Sequence, residues 1–162
     1  MRTTSQRLRL AMNRASTRIT LMLAAVAIAV FALPSAAMAE DNYFAWCTRA
    51  DTACQTGSAA GLVEGQCKTA PAAYHKTQIC VDYAADAVYV YDGQSDGKSA
   101  IAEINNDNGA INSRLCRNNR GYGTWAKCDF DWAEAGEHRA RAGYLISYQE
   151  MPTDLLWTWT GK

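Results

Sequence analysis

An all-β architecture follows from three features of the 162-residue chain. Short β-branched and aromatic runs from Val81 onward are divided by turns rich in Asp, Asn and Gly, and no stretch between them is long enough to supply the helix of a parallel crossover. All six cysteines lie past residue 40. Together these features predict an antiparallel meander forming a small β-sandwich or barrel, with a disulfide-rich irregular N-terminal segment ahead of it.

The first element is not part of that fold. Arg2, Arg7, Arg9, Arg14 and Arg18 precede an uncharged run over residues 19–33, followed by Pro34 and the small-residue stretch Ser35-Ala36-Ala37-Met38-Ala39. A positive start, a short apolar run and an Ala-x-Ala site define a secretory signal peptide, so residues 1–39 are expected to be cleaved before Glu40. A fifteen-residue helix rises only about 22 Å, short of the roughly 30 Å hydrocarbon core, which argues against a retained membrane anchor. No lipobox cysteine or twin-arginine pair is present. Removing the segment turns a formally neutral chain into one with 11 basic and 16 acidic residues, a net charge of −5. That balance excludes non-specific binding to nucleic acid or anionic lipid, and after signal cleavage no membrane association is expected.

Residues 40–80 form the cysteine-rich N-terminal segment of the expected mature domain, and residues 81–162 its antiparallel β region. The first part carries Cys47, Cys54, Cys67 and Cys80 but no sustained period of 2, and Gly57 to Lys68 is weakly compatible with one short helix around Ala59, Leu62 and Val63. Cys116 and Cys128 complete the set. An even count in an exported domain reads as three disulfides, and the lack of any close Cys pair argues against zinc. Six cysteines allow 15 connectivities, of which the local pair Cys116–Cys128 is preferred. That pairing meets a conflict. Regular alternation puts Cys116 on a face with Asn112 and Arg114, whereas Cys128 lies on an apolar face, so a bulge near Arg117-Asn118 or another pairing is required.

In the second part, Ala87-Val88-Tyr89-Val90-Tyr91 is apolar on both faces, as in a central strand. Residues 92–97 make a turn, 99–104 a strand, 105–109 a turn, 111–117 a strand and 118–123 a turn. Over residues 124–132, Ala126, Cys128, Phe130 and Trp132 face one way and Lys127, Asp129 and Asp131 the other, the mark of a half-buried strand. A polar connection then leads to strands at 144–150 and 155–160. In the last, Leu155, Trp157 and Trp159 share one face.

The run from Tyr89 to Trp132, with Asp92-Gly-Gln-Ser-Asp-Gly-Lys-Ser-Ala, Cys116-Arg-Asn, Gly121-Tyr-Gly-Thr and Lys127-Cys-Asp-Phe-Asp-Trp, resembles small secreted actinobacterial proteins of unassigned function. The resemblance covers about a third of the chain. It implies export and a β-rich fold, and it carries over no catalytic residue.

No catalytic motif stands out. His75 and His138 lack a Gly-x-Ser-x-Gly elbow or a Cys-His signature, and His138, between Glu137 and Arg139 in a charged connection, reads as an exposed loop histidine. Asp129 and Asp131, with Glu134 or Glu137, are the candidate paired carboxylates of a small hydrolase, although alternating aspartates also keep a strand soluble. Asp92, Asp96 and Asn105 to Asn108 offer oxygens for calcium, but their spacing departs from an EF-hand and turn formation accounts for them. Arg114, Arg117, Arg120 and Lys127 form the one basic concentration, compensated by the nearby aspartates. Trp132, Trp157 and Trp159 are expected in the core by their periodicity. Trp125 instead falls on the polar face beside Lys127, and with Tyr122 and Arg120 it is the expected contact surface. The leading expectation is a non-enzymatic secreted binding domain for an extracellular protein or cell-wall polymer, with no cofactor and no metal. A carboxylate-dependent hydrolase and a defensive inhibitor or toxin are the alternatives.

Overall fold

A computed structural model describes residues 41–162, and the expected signal peptide, residues 1–39, lies outside them. Ten strands form: β1 Thr52–Thr56, β2 Ser58–Ala59, β3 Gln66–Thr69, β4 Gln78–Asp82, β5 Ala87–Tyr91, β6 Ala100–Asn106, β7 Ser113–Asn118, β8 Trp125–Asp129, β9 Glu137–Tyr144 and β10 Thr153–Thr160. They make two five-stranded sheets, ordered β1-β7-β6-β9-β10 and β2-β8-β5-β4-β3, which pack as an all-β sandwich. All pairings are antiparallel except β1 with β7. The short helix considered for residues 57–68 does not form. Two short strands, β2 and β3, occupy that stretch.

Side-chain size explains how the layers fit. The first sheet turns Ala100, Ala102, Ala140 and Ala142 inward, and the second supplies Ile79, Val81, Val88 and Val90 to fill the space above them. Small residues against branched ones let two sheets interdigitate at native density. Thr77, wholly buried at the margin, donates its hydroxyl to the Gly143 carbonyl at 2.8 Å and ties the layers together.

Each disulfide serves a different layer. Cys47–Cys54 pins the turn Ala45–Thr48 to β1 over the outer face of the first sheet, where Phe44, Ile101 and Leu115 pack with both cysteines. Cys67–Cys80 joins directly opposed residues of β3 and β4. Cys116–Cys128, the pair preferred from sequence, crosses the core from one sheet to the other. It does so without the expected bulge, since β6 and β7 keep a regular register past Arg117. The conflict dissolves because Arg114 and Asn118, which share the Cys116 face, point inward too. Asn118 Nδ2 donates to the Val90 and Thr124 carbonyls at 3.1 and 2.8 Å. Arg114 donates to the Asp131 carbonyl through Nε and Nη2 at 2.9 and 2.6 Å, and to the Ile111 carbonyl through Nη1 at 3.0 Å. Buried polar groups are tolerated when so satisfied.

Two strand expectations are corrected. Residues 137–143, expected to lie in a polar connection, form β9 together with Tyr144, the first residue of the strand expected over 144–150, and residues 145–152 are largely loop. In β9, Glu137, Arg139 and Arg141 alternate with His138, Ala140 and Ala142, a period of 2 whose core residues are small rather than greasy. In β10 a β-bulge falls between Leu155 and Trp157, so Leu156 and Trp159 are buried while Leu155 is exposed. Trp157 is half-buried and donates its indole N–H to Tyr83 Oη at 2.9 Å.

Turns follow one device. Asp82, Asp92, Asp96, Asn106 and Asn118 each accept, through a side-chain oxygen, the backbone N–H two residues on. Of the residues that sequence offered to calcium, Asp92, Asp96 and Asn106 close turns in this way, and Asp107 accepts from Arg139.

His138 is fully buried at one end of the sandwich, its ring stacked on Trp159 at 4.9 Å and 11° and tilted against Trp132 at 6.2 Å. Neither ring nitrogen has a hydrogen-bond partner. Burial pushes its pKa below 6.5, and the Ala133 carbonyl opposes that pull without reaching hydrogen-bond geometry. A lowered histidine pKa means the unfolded chain binds more protons, so stability is expected to fall as pH drops below about 6.5. Asp86 and Asp92, both raised by burial, act in the opposite sense, so the expected loss is read as a difference between the parent and a His138 variant. Melting curves between pH 7.5 and 5 check this. A His138→Phe variant with the same slope as the parent would place the titration elsewhere.

Candidate functional site

A groove of about 570 Å³ opens on the outer face of the first sheet. Register defines its floor. Glu103 of β6 lies opposite Leu115 of β7 and Arg141 of β9, and Arg141 lies opposite Leu155 of β10, so these four side chains share the outer face. Glu103 is 4% exposed although it interrupts the apolar run Ala100-Ile101-Ala102-Glu103-Ile104.

The carboxylate is held on every side. Oε1 accepts from Asn105 Nδ2 at 2.9 Å and Ser113 Oγ at 3.2 Å, and Oε2 accepts from Thr153 Oγ1 at 3.3 Å. Arg141 Nε lies 3.6 Å from Oε2 and donates to Thr153 Oγ1 at 3.1 Å. Arg141 is thus fixed from behind by Glu103 and Thr153. Among the described residues its Nη1 has no protein acceptor, and the side chain is about one-third exposed.

One wall of the groove comes from Phe44 and Trp46, in and beside the turn that the Cys47–Cys54 disulfide anchors. Trp46 is 44% exposed, with the Arg49 guanidinium 5.4 Å from its ring centroid. Residues 149–152 form the other wall, with Gln149 and Glu150 exposed and Met151 half-buried. Ala45 N–H donates to the Tyr148 carbonyl at 2.8 Å, which binds the two walls together at one end. Ile146, Tyr148 and Leu155 are the other large apolar side chains exposed on these segments.

The residues expected to form a contact surface occupy two neighbourhoods. Tyr122, 61% exposed, and Arg120, also exposed, belong to the loop between β7 and β8. Trp125 lies on the outer face of the second sheet, half-buried, with its ring 5.1 Å from that of Tyr91. Its neighbour across the strand face, Lys127, pairs with Asp129 at 2.6 Å. Asp129, Asp131, Glu134 and Glu137 are all exposed, and Asp131 lies beyond the end of β8. His75 Nδ1 lies 2.7 Å from Asp96 Oδ2, and its ring stacks on Tyr144 at 3.3 Å. Among the described residues, no group of three or more His, Cys, Asp or Glu side chains is arranged to hold a metal ion.

Sequence reasoning passed over Glu103, Arg141 and Trp46. The one available signal was a lone carboxylate inside an apolar strand, since a buried acid must be paired to be tolerated.

Comparison with known proteins places no family beside this architecture: no protein-family model, curated protein or solved structure matches the chain. The fold and its cross-links define the class directly. It is a small, disulfide-rich β-sandwich domain.

Proposed function

We propose that this chain is a secreted, non-enzymatic binding domain that holds a hydroxyl-rich cell-wall polymer in the outer-face groove. Export is supported by the signal-like N-terminal segment and by three disulfides, which persist in oxidising compartments. The binding role rests on one observation: a buried, fully hydrogen-bonded carboxylate orients Arg141 at the floor of an open groove beside a half-exposed tryptophan. Burying a carboxylate against a cation brings little net stability, so the placement of this pair at the floor of an open groove favours a recognition role.

The ligand class follows from the lining. A sugar hydroxyl both donates and accepts, and it needs both kinds of partner within reach. Glu150 accepts, Arg141 donates, and Asn105 and Gln149 do both. The flat face of Trp46 suits the C–H face of a pyranose ring. We place the groove ahead of Tyr122, Trp125 and Arg120 as the main contact surface because it adds concavity and an oriented charge to an exposed ring.

Pull-down of the purified protein on insoluble peptidoglycan and on a panel of immobilised polysaccharides tests the reading. Trp46→Ala is expected to weaken retention by about tenfold, the equivalent of one good aromatic contact. Arg141→Ala is expected to weaken it at least as much. Retention of both variants at the parental level on every polymer would remove the groove from the proposal.

A further inference from the structure

The two most buried carboxylates of the domain are treated differently. Glu103 has a cation and three hydrogen-bond donors. Asp92, also 4% exposed, has none of the Lys or Arg contacts that Asp51, Asp107, Asp129 and Glu137 have at the surface. Its Oδ1 accepts the Gln94 N–H at 3.1 Å, and among the described residues Oδ2 has no protein donor. Burial raises its pKa above the ordinary carboxylate range.

Asp92 lies in a recess of about 260 Å³ separate from the Glu103 groove, with Ser95, Lys98, Ser99, Asn119 and Tyr122 around it. The backbone holds the two sides of the recess together. Asp92 N–H donates to the Thr124 carbonyl at 3.1 Å, and the Asp92 carbonyl accepts the Gly123 N–H at 2.9 Å. Tyr122 stands between Gly121 and Gly123, whose φ values of +94° and +79° only glycine adopts without strain. A Cβ at either glycine would meet nothing within 4 Å, so these glycines serve the conformation that presents Tyr122 and not close packing. The resident charges are already committed. Lys98 Nζ lies 4.8 Å from the Tyr144 ring centroid, His75 stacks on Tyr144, and His75 Nδ1 lies 2.7 Å from Asp96 Oδ2.

We propose that this recess binds a primary ammonium group, with Asp92 as its counter-ion and the exposed Tyr122 ring as its wall. A desolvated carboxylate gains most from an added cation, and an ammonium group brings the donors that Oδ2 lacks. An aromatic face within reach adds a cation–π contact. The hydroxyl of Ser95 and the amide oxygen of Asn119 line the recess and can accept its remaining hydrogens, whereas Ser99 Oγ already accepts from Arg117 Nε at 2.9 Å. The site is independent of the groove reading. It accepts an amino sugar, a lysine side chain or a chain amino terminus, which share this one group.

Titration of the purified full-length protein, followed by NMR, tests the assignment with three probes: glucosamine, N-acetylglucosamine and Nα-acetyl-lysine methylamide. Glucosamine and the lysine probe are expected to shift the Tyr122 and Asn119 resonances saturably, and the N-acetylated sugar to leave them unmoved. Asp92→Asn keeps the acceptor for Gln94 and is expected to weaken the amines at least tenfold. Tyr122→Ala, a surface change, is expected to weaken them about threefold, the scale of an exposed cation–π contact. Equal shifts with N-acetylglucosamine, or undiminished binding by Asp92→Asn, would overturn the assignment. A calcium titration that moves the same resonances and displaces the amines would make the recess a cation site instead.

Discussion

Replacing Cys116 and Cys128 together by alanine is expected to cost about 3 kcal/mol from loop closure alone, because the bridge closes a loop of thirteen residues counting both cysteines. The loss of two sulfur atoms from the core adds to this, since Cys116 and Cys128 are 0% and 1% exposed among Val88, Val90 and Ala126. In a domain of this size the melting temperature should fall by roughly 10–15 °C. Cys67–Cys80 provides the control. Its sequence separation is 13 against 12, so chain entropy predicts nearly the same cost, but Cys67 is exposed on an edge strand. Denaturant melts of the two double variants therefore separate covalent from packing contributions. The inter-sheet pair should be the costlier of the two. Equal losses would mean that loop closure governs both and that the position of Cys116–Cys128 in the core adds nothing.

That bridge also marks where the fold was legible in the sequence. The all-β class, β5 and the alternation in β8 followed from period and turn chemistry, because their inward residues are apolar, whereas the pairing of the last two cysteines was preferred as local and stood against the period of β7. Trp132 and Trp159 are buried for the same reason. Legibility failed wherever the inward residue was polar or small. Arg114, Asn118 and His138 face the interior, so the pattern of β7 looked inconsistent with its disulfide and β9 looked like a charged loop. The bulge in β10 is invisible to strict alternation, since one inserted residue exchanges the faces beyond it.

The groove was hidden for another reason. Its parts lie at Trp46, Glu103, Arg141 and Glu150, four separate places in the chain, and only the pairing of β6 with β9 and the anchoring of the Cys47–Cys54 turn bring them together. Composition registers such residues one at a time. Tyr122 could be picked out because its two flanking glycines announce a presented side chain, whereas its partner Asp92 looked like one more turn former. Asp92 is a turn former, and what distinguishes it from Asp82 and Asp96 is its burial, which depends on the Thr124 and Gly123 contacts from a distant loop.

Gly143→Ala should damage fold and groove together. Gly143 lies opposite Ile101 on one side and Thr153 on the other, where β9 meets the start of β10. A Cβ there would come within 1.9 Å of the Pro152 carbonyl oxygen and 2.9 Å of both the Pro152 carbonyl carbon and the Thr153 Cα. All three are backbone atoms, so no side-chain rotation relieves the clash. The chain must move Pro152 away, and Pro152 lines the groove while its carbonyl accepts the Tyr144 N–H at 3.3 Å. Overpacking of this kind costs about 1–3 kcal/mol, and contact with fixed backbone puts this site at the upper end. Because Thr153 donates to Glu103 and accepts from Arg141, displacement of the strand start also releases the charge pair at the groove floor. Thermal melts give the stability loss, and hydrogen exchange at Gln149, Glu150 and Met151 reports the wall. Faster exchange confined to those amides together with a lowered melting point is the expected result. A variant as stable as its parent, with unchanged exchange, would show that the Pro152 peptide can rotate aside and that Gly143 does not set the wall.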